Sequence, residues 1–217
     1  MDTAEPYSRR EEIAHSLTAA LGAAALLFGI PWLTVRAAEN TGTWRVVGVL
    51  AFGVGGLLMF TTSTLYHAVR RPSAKAVLRR LDHSAIYFLI AGTYTPFALG
   101  GVGGSLGWFL FGIVWALALI GVFVKLTGAM PRIPWASTLI YVVMGWIGLV
   151  AYKPLSHNLT GMQFGWLIAG GLCYTGGVPF YLWKRRPYAH VAWHLFVLGG
   201  VACHFVAILS LIHGKRA

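Results

Sequence analysis

The chain has 217 residues, of which 57% are hydrophobic and 11% charged, about half the charge of an ordinary soluble domain. That is too little to solvate a surface, so the composition excludes a water-soluble domain and describes an integral membrane protein. The net charge is +11, but the cations lie in short segments between apolar runs, where they set topology and meet anionic headgroups rather than nucleic acid.

Apolar runs read against helix breakers predict an all-α bundle of seven transmembrane helices in one domain covering residues 1–217. The spans fall near 13–35, 44–69, 81–99, 105–125, 134–152, 162–183 and 188–212, each long enough for a hydrocarbon core about 30 Å thick. The first run begins near Ile13, is longer than a signal-peptide core and lacks a small-residue cleavage site, so it reads as a mature helix. The glycine clusters at Gly53–Gly56, Gly100–Gly104 and Gly170–Gly177 read as packing or turn sites. Pro96 near the end of span three and Pro179 within span six each remove a backbone hydrogen bond, predicting a kink or an early helix end. Cys173 and Cys203 lie inside apolar stretches and read as small packing residues rather than a disulfide or metal motif.

Seven spans place the termini on opposite sides. With the N-terminus inside, twelve of the seventeen cations are cytoplasmic: Arg9, Arg10, Arg70, Arg71, Lys75, Arg79, Arg80, Lys125, Arg132, Lys184, Arg185 and Arg186. Arg36, Arg45, Lys153, Lys215 and Arg216 fall outside. Because cytoplasmic Lys and Arg set orientation, this split predicts a cytoplasmic N-terminus and an extracytoplasmic C-terminus.

That orientation brings His67 at the end of span two, Asp82 at the start of span three, and His190 and His194 at the start of span seven to one depth. His190 and His194 are four residues apart, so both imidazoles leave the same side of a helix about one turn apart. Ionisable groups within spans are costly unless they meet a partner, a cavity or a metal. Three neutral imidazoles suit zinc and leave a fourth position open, and Asp82 is placed to hold a water there or take its proton. Ser63, one turn deeper than His67 on the same face, is placed to bond a substrate carbonyl. Each residue also has a plain structural reading: Ser63 bonding back to a helix carbonyl, Asp82 as the N-cap of span three, each histidine as a satisfied interfacial side chain. His83, about 100° round the helix from Asp82, is the reserve ligand. His204 lies about 15 Å deeper than His194, as a polar link between helices or a cavity-lining residue. His157 and His213 belong to the opposite, solvated side, and His15 sits near the start of span one, either beside the site or merely interfacial.

The segments Ser63-Thr-Leu-Tyr-His67, Leu81-Asp-His-Ser-Ala-Ile-Tyr87 running through Ala91-Gly-Thr-Tyr-Thr-Pro96, and His190-Val-Ala-Trp-His194 followed by His204-Phe205 resemble the hemolysin III family. That family is the bacterial branch related to the progestin and adipoQ receptors, which include the adiponectin receptors, and more distantly to the alkaline ceramidases. The resemblance covers essentially the whole chain. It implies seven helices in a bacterial inner membrane, N-terminus inside, with zinc near the cytoplasmic face held by His67, His190 and His194, Asp82 acting through water and Ser63 nearby. One departure falls in span one, where relatives commonly carry Asn and, four residues on, His; this chain has His15 and Ala19.

Two classes of function follow. One is a zinc-dependent hydrolase of a lipid amide such as ceramide, its membrane-lipid substrate entering an internal cavity. The other is a non-enzymatic membrane protein: a pore-forming, cytolytic hemolysin, or a sensor or regulator of membrane state braced by structural zinc. A pore should show polar residues along one helix face through the bilayer, whereas here the midplane is mostly Leu, Val, Ala and Gly and the ionisable groups gather at one end. A metal transporter would want ligands at more than one depth, which only His204 suggests. The oligomeric state is not encoded in any of these patterns.

Overall fold

A computed structural model describes residues 7–40, 43–128, 135–183 and 185–213, and its described residues form helices joined by short turns, with no strand among them. The helices are α1 (Arg9–Asn40), α2 (Thr43–Ala68), α3 (Pro72–Pro96), α4 (Gly104–Thr127), α5 (Ala136–Trp146), α6 (Tyr152–Asn158), α7 (Gly161–Leu182) and α8 (Ala189–His213). A π-helical turn, Phe97–Val102, continues α3, and a 3₁₀ segment, Ile147–Ala151, joins α5 to α6. Arg132, Lys184, Lys215 and Arg216, four of the cations weighed for orientation, lie outside the described residues.

Six helical stretches are long and apolar enough to cross a membrane: Arg9–Glu39, Thr43–Ala68, Pro72–Val102, Gly104–Thr127, Ala136–Asn158 and Ala189–His213. At 22 residues, α7 extends about 33 Å, but with its glycines, tyrosines, tryptophan and Gln163 it is not among these six. Large side chains such as Phe28, Phe123 and Val150 stand exposed, as they do on a surface solvated by lipid.

Where the helices start and stop follows from local chemistry. Ser8 and Glu11 form a reciprocal cap at the head of α1: Glu11 Oε2 accepts from the Ser8 backbone N–H (3.0 Å) and hydroxyl (2.7 Å), and Ser8 Oγ accepts from the Glu11 N–H (3.3 Å). Pro72 stands in the first turn of α3, where its missing N–H costs nothing. The helix therefore begins well before the apolar run at residue 81, because charged Lys75, Arg79 and Arg80 end the apolar run without ending the helix. Asp82 consequently lies in the interior of α3 and cannot be its N-cap, which corrects the structural role read from sequence.

The two prolines behave differently. After Pro96 the backbone loosens into the π-helical turn, which closes at Gly103 and Gly104, both at positive φ, a conformation open to glycine at little cost. α7 passes through Pro179 and ends at Leu182. The least expected break is the α5–α6 joint. There the Tyr94 hydroxyl of α3 donates to the Gly145 carbonyl (2.9 Å) and accepts from the Gly148 N–H (2.7 Å), satisfying backbone groups the broken helix would leave bare.

The core lies among α1, α2, α3 and α8. α2 and α3 pack so closely that a Cβ on Gly55 would collide with the Phe88 carbonyl, and one on Gly92 with the Ala51 carbonyl. Small residues permit this approach in a bilayer, where packing rather than water drives helix association. α1 packs on both α2 and α8, so the first turns of α1 and α8, the last turn of α2 and the first half of α3 meet at one end of the bundle.

Candidate metal centre

At that end His67, His190 and His194 converge, their ligand atoms all within 4.8 Å of one another. The ring centroids of His190 and His194 are 4.7 Å apart, and each is 5.3 Å from that of His67. The one-turn spacing within α8 thus places both imidazoles toward the last turn of α2, as the sequence predicts. His67 and His194 are buried.

The tautomers of two rings follow from their partners. His67 Nδ1 lies 2.7 Å from Glu12 Oε2; a carboxylate accepts, so the imidazole donates from Nδ1 and its lone pair is left on Nε2. That Nε2 is buried and has no hydrogen-bond partner. His194 Nδ1 lies 3.1 Å from the His15 carbonyl and 3.0 Å from Thr18 Oγ1; since the carbonyl only accepts, Nδ1 again carries the hydrogen and Nε2 the lone pair. A histidine held at one nitrogen by a carboxylate or carbonyl and bare at the other is the arrangement found around bound metals.

Glu12 is itself anchored. Its other oxygen accepts from Lys75 Nζ at 2.7 Å, and Lys75 also donates to the Tyr66 carbonyl at 3.2 Å. α1, α2 and the first turn of α3 are thereby tied through one carboxylate. Its neighbour Glu11 makes the corresponding tie to α8, accepting from the Tyr188 N–H at 3.1 Å, where Tyr188 holds φ 57° just before α8 begins. Glu12, His15 and His67 form a second group with ligand atoms within 4.8 Å, but the direct contact of Glu12 with His67 and Lys75 makes the carboxylate a hydrogen-bonding partner there.

Asp82 does not join the three-histidine group; it stands beside it. It lines a cavity of about 180 Å³ together with Ser63, His190 and His194, and also a water-sized pocket of about 20 Å³ with His83, His190 and Tyr7. The Ser63 hydroxyl faces the Asp82 carboxylate. Thr62 and Thr64 on either side bond back to the Leu58 and Phe60 carbonyls at 2.7 Å, so Ser63 differs from its neighbours in turning to another helix. The larger cavity continues past His204 to Val102 and Leu155. Val102 lies twenty residues beyond Asp82 in the same helical run, about 30 Å along the axis. Apart from the groups named, aliphatic and aromatic side chains dominate its walls.

The remaining histidines separate clearly. His204 is buried, lines the cavity and bonds through Nε2 to the Leu167 carbonyl of α7 at 3.1 Å, so it is both a link between helices and a lining residue. Gly170 provides the room its ring needs. His83 lines both cavities without joining a metal group among the described residues, and its carbonyl accepts from the Tyr141 hydroxyl at 2.8 Å. His157 and His213 are exposed. His15 is completely buried within the cluster, its centroid 4.7 Å from His67 and 4.8 Å from His190. Cys173 and Cys203 are free thiols, partly buried in α7 and α8. Sequence reasoning passed over Glu11, Glu12 and Thr18. The available signals were the Ser8-x-x-Glu11 cap and two adjacent acids at the head of an apolar helix in a chain with only six.

Comparison with known proteins agrees with this architecture. The family model described as "Haemolysin-III related" matches residues 7–205, a segment holding every residue of the centre. The chain belongs to the haemolysin III family. It is 43% identical over 203 residues to the "Hemolysin-3 homolog" of Bacillus subtilis (strain 168), covering 94% of this chain and 95% of that protein. It is 44% identical over the same length to "Hemolysin-3" of Bacillus cereus, covering 94% and 92%. A more distant relative is human "Monocyte to macrophage differentiation factor", 30% identical over 183 residues, covering 78% of this chain and 72% of that one. In this haemolysin III chain the histidines that could hold a metal ion come from α2 and α8, and the groups bonded to them come from α1.

Proposed function

We propose that this haemolysin III protein crosses a bacterial inner membrane seven times, N-terminus inside, and binds zinc through His67, His190 and His194 near the cytoplasmic face to hydrolyse a lipid amide of ceramide type. α7 supplies span six and brings the count to seven, being long enough to cross and packed along α8. The observation that carries the reading is that His190 and His194, grouped with His67, line together with Asp82 and Ser63 a largely apolar cavity that runs most of the way through the bundle.

The donor set fits zinc. Three imidazoles are a borderline-soft nitrogen set of the kind zinc takes, the buried bare Nε2 of His67 lacks any other partner, and Glu12 supplies the carboxylate that such ligands usually lean on. Bound zinc supplies Lewis acidity, polarising a carbonyl and bringing the pKa of water down toward about 7. The protein does the rest. Asp82, facing both the cavity and the water-sized pocket, takes the proton from the attacking water. Ser63 donates to the amide carbonyl, and the apolar cavity holds the acyl chain and keeps bulk water away.

Metal content and hydrolysis test this together. His190→Ala and His194→Ala should each remove most of the metal from purified protein while His213→Ala does not; equal metal in all three defeats the site. Asp82→Ala should keep the metal and abolish fatty-acid release from a lipid amide; unchanged turnover rejects Asp82 as the base. The second reading, a zinc that only braces the bundle, draws support from the Glu12–His67–Lys75 tie, which already joins three helices. It predicts metal binding without hydrolysis in the wild type. A pore finds less support, because the cavity is walled mainly by apolar groups.

A further inference from the structure

We infer that His15 is a fourth protein ligand of the same ion, an inference that rests on the metal reading above. His15 has no exposed surface, and neither its Nδ1 nor its Nε2 has a hydrogen-bond partner. An imidazole buried with both nitrogens idle is costly, because each lost its bonds to water on folding. In the same turn of α1 the polar groups are otherwise employed: the His15 carbonyl holds His194, and Glu12, one turn earlier, holds His67. Only the His15 ring is left without a task.

Its position identifies the task. The four ring centroids of His15, His67, His190 and His194 define a tetrahedron whose six edges are 4.7, 4.8, 5.7, 5.3, 5.3 and 4.7 Å. An ion bonded to four imidazoles at about 2.0–2.1 Å would have each centroid about 3.2 Å away and the centroids about 5.2 Å apart in tetrahedral geometry. The observed edges bracket that value. Aromatic packing also favours contacts at such distances, but it asks only for pairs. It neither requires four rings mutually near one separation nor accounts for idle nitrogens. One ligand nitrogen of His15 lies within 4.8 Å of one on His67, while His15 stands outside the group of His67, His190 and His194, so taking the ion requires its ring to turn toward that group.

His15 therefore closes the coordination in the absence of substrate, and only the carbonyl of a substrate held in the cavity gains the ion by replacing it. This distinguishes a gated site from one with a permanently open position, and it assigns α1, otherwise a scaffold element, a direct part in metal binding.

The test uses the full-length protein in detergent, with zinc for X-ray absorption and Co²⁺ for visible absorption. Zinc-loaded wild type should show a shell of four imidazole nitrogens, and its Co²⁺ spectrum should not respond to added azide. His15→Asn and His15→Gln should bind Co²⁺ at least about tenfold more weakly, with spectra that shift when azide enters the vacated position. Three imidazoles in the wild type, or a wild-type Co²⁺ spectrum that already responds to azide, overturns the inference even where the variants fold poorly. Variants indistinguishable from wild type in affinity and azide response do the same. His190→Ala separates the two levels. If it loses cobalt while the His15 variants match wild type, only the fourth ligand is wrong; if it retains wild-type binding, the metal reading fails and takes this inference with it.

Discussion

Replacing Glu12 by Ala tests whether the histidine cluster is built to hold an ion or is merely packed. The carboxylate lies 2.7 Å from His67 Nδ1 and 2.7 Å from Lys75 Nζ, with the His67 side chain 0% and the Glu12 side chain 18% exposed. A hydrogen bond to a charged group in such surroundings contributes about 1.5–3 kcal/mol. At about 1.4 kcal/mol per factor of ten, losing it should weaken metal binding about 10- to 100-fold, which agrees with the usual effect of removing the partner behind a ligating histidine. The assay is competition for zinc against a chromophoric chelator, run on wild type, Glu12→Ala, His67→Ala and the double variant. If Glu12 acts by orienting His67, the substitution should cost little more once His67 is gone, so the effects will not add. Glu12→Ala binding zinc within twofold of wild type, or costing the same factor with and without His67, would refute the reasoning. Thermal midpoints of the metal-free proteins separate this from simple loosening of α1, because Lys75 keeps the Tyr66 carbonyl as a partner in the variant.

Two further outcomes follow from the fold. Tyr94→Phe removes the hydroxyl that serves both the Gly145 carbonyl and the Gly148 N–H, and stranding a backbone group away from water costs about 1–3 kcal/mol; a thermal midpoint in detergent unchanged from wild type would show that the joint satisfies itself by other means. Val197→Phe enlarges a buried side chain lining the cavity and should cut turnover of long-chain amides several-fold more than short-chain ones while leaving zinc content unaltered, and equal losses on both would argue against an acyl chain in the cavity.

Much of the bundle was legible because the bilayer imposes a length on each apolar run. The ends of α2, α4, α7 and α8 fall within two residues of the expected spans. The discrepancies have physical reasons. Hydropathy measures the stretch that must sit in hydrocarbon, whereas helix formation continues wherever backbone and caps allow, so α3 starts at Pro72 although its apolar run starts near 81. The α5–α6 joint was hidden for a different reason: the tyrosine that serves the broken backbone lies more than fifty residues away in sequence. No local pattern announces a repair from another helix.

The site divides along the same line. Helical spacing pairs His190 with His194, and topology brings that pair to His67, because both deductions need only helical periodicity and the order of crossings. Asp82 was legible at the depth of the histidines and Ser63 one turn deeper, and the Ser63 hydroxyl faces the Asp82 carboxylate across α2 and α3. What the pattern could not reveal was the part played by α1. In a membrane chain, charges at the head of a helix are ordinarily explained by the interface they face, and that explanation absorbs Glu11, Glu12 and His15 before any contact is considered. Only the packing of α1 between α2 and α8 turns those residues inward, so that one acid ties α8 through Tyr188 and the other ties α2 and α3 through His67 and Lys75. Two of the chain's six acids are thus spent within one turn, on the three helices whose ends meet at the centre. A helix serving only as a membrane anchor needs neither residue; a helix that must hold two histidine-bearing elements in register needs both.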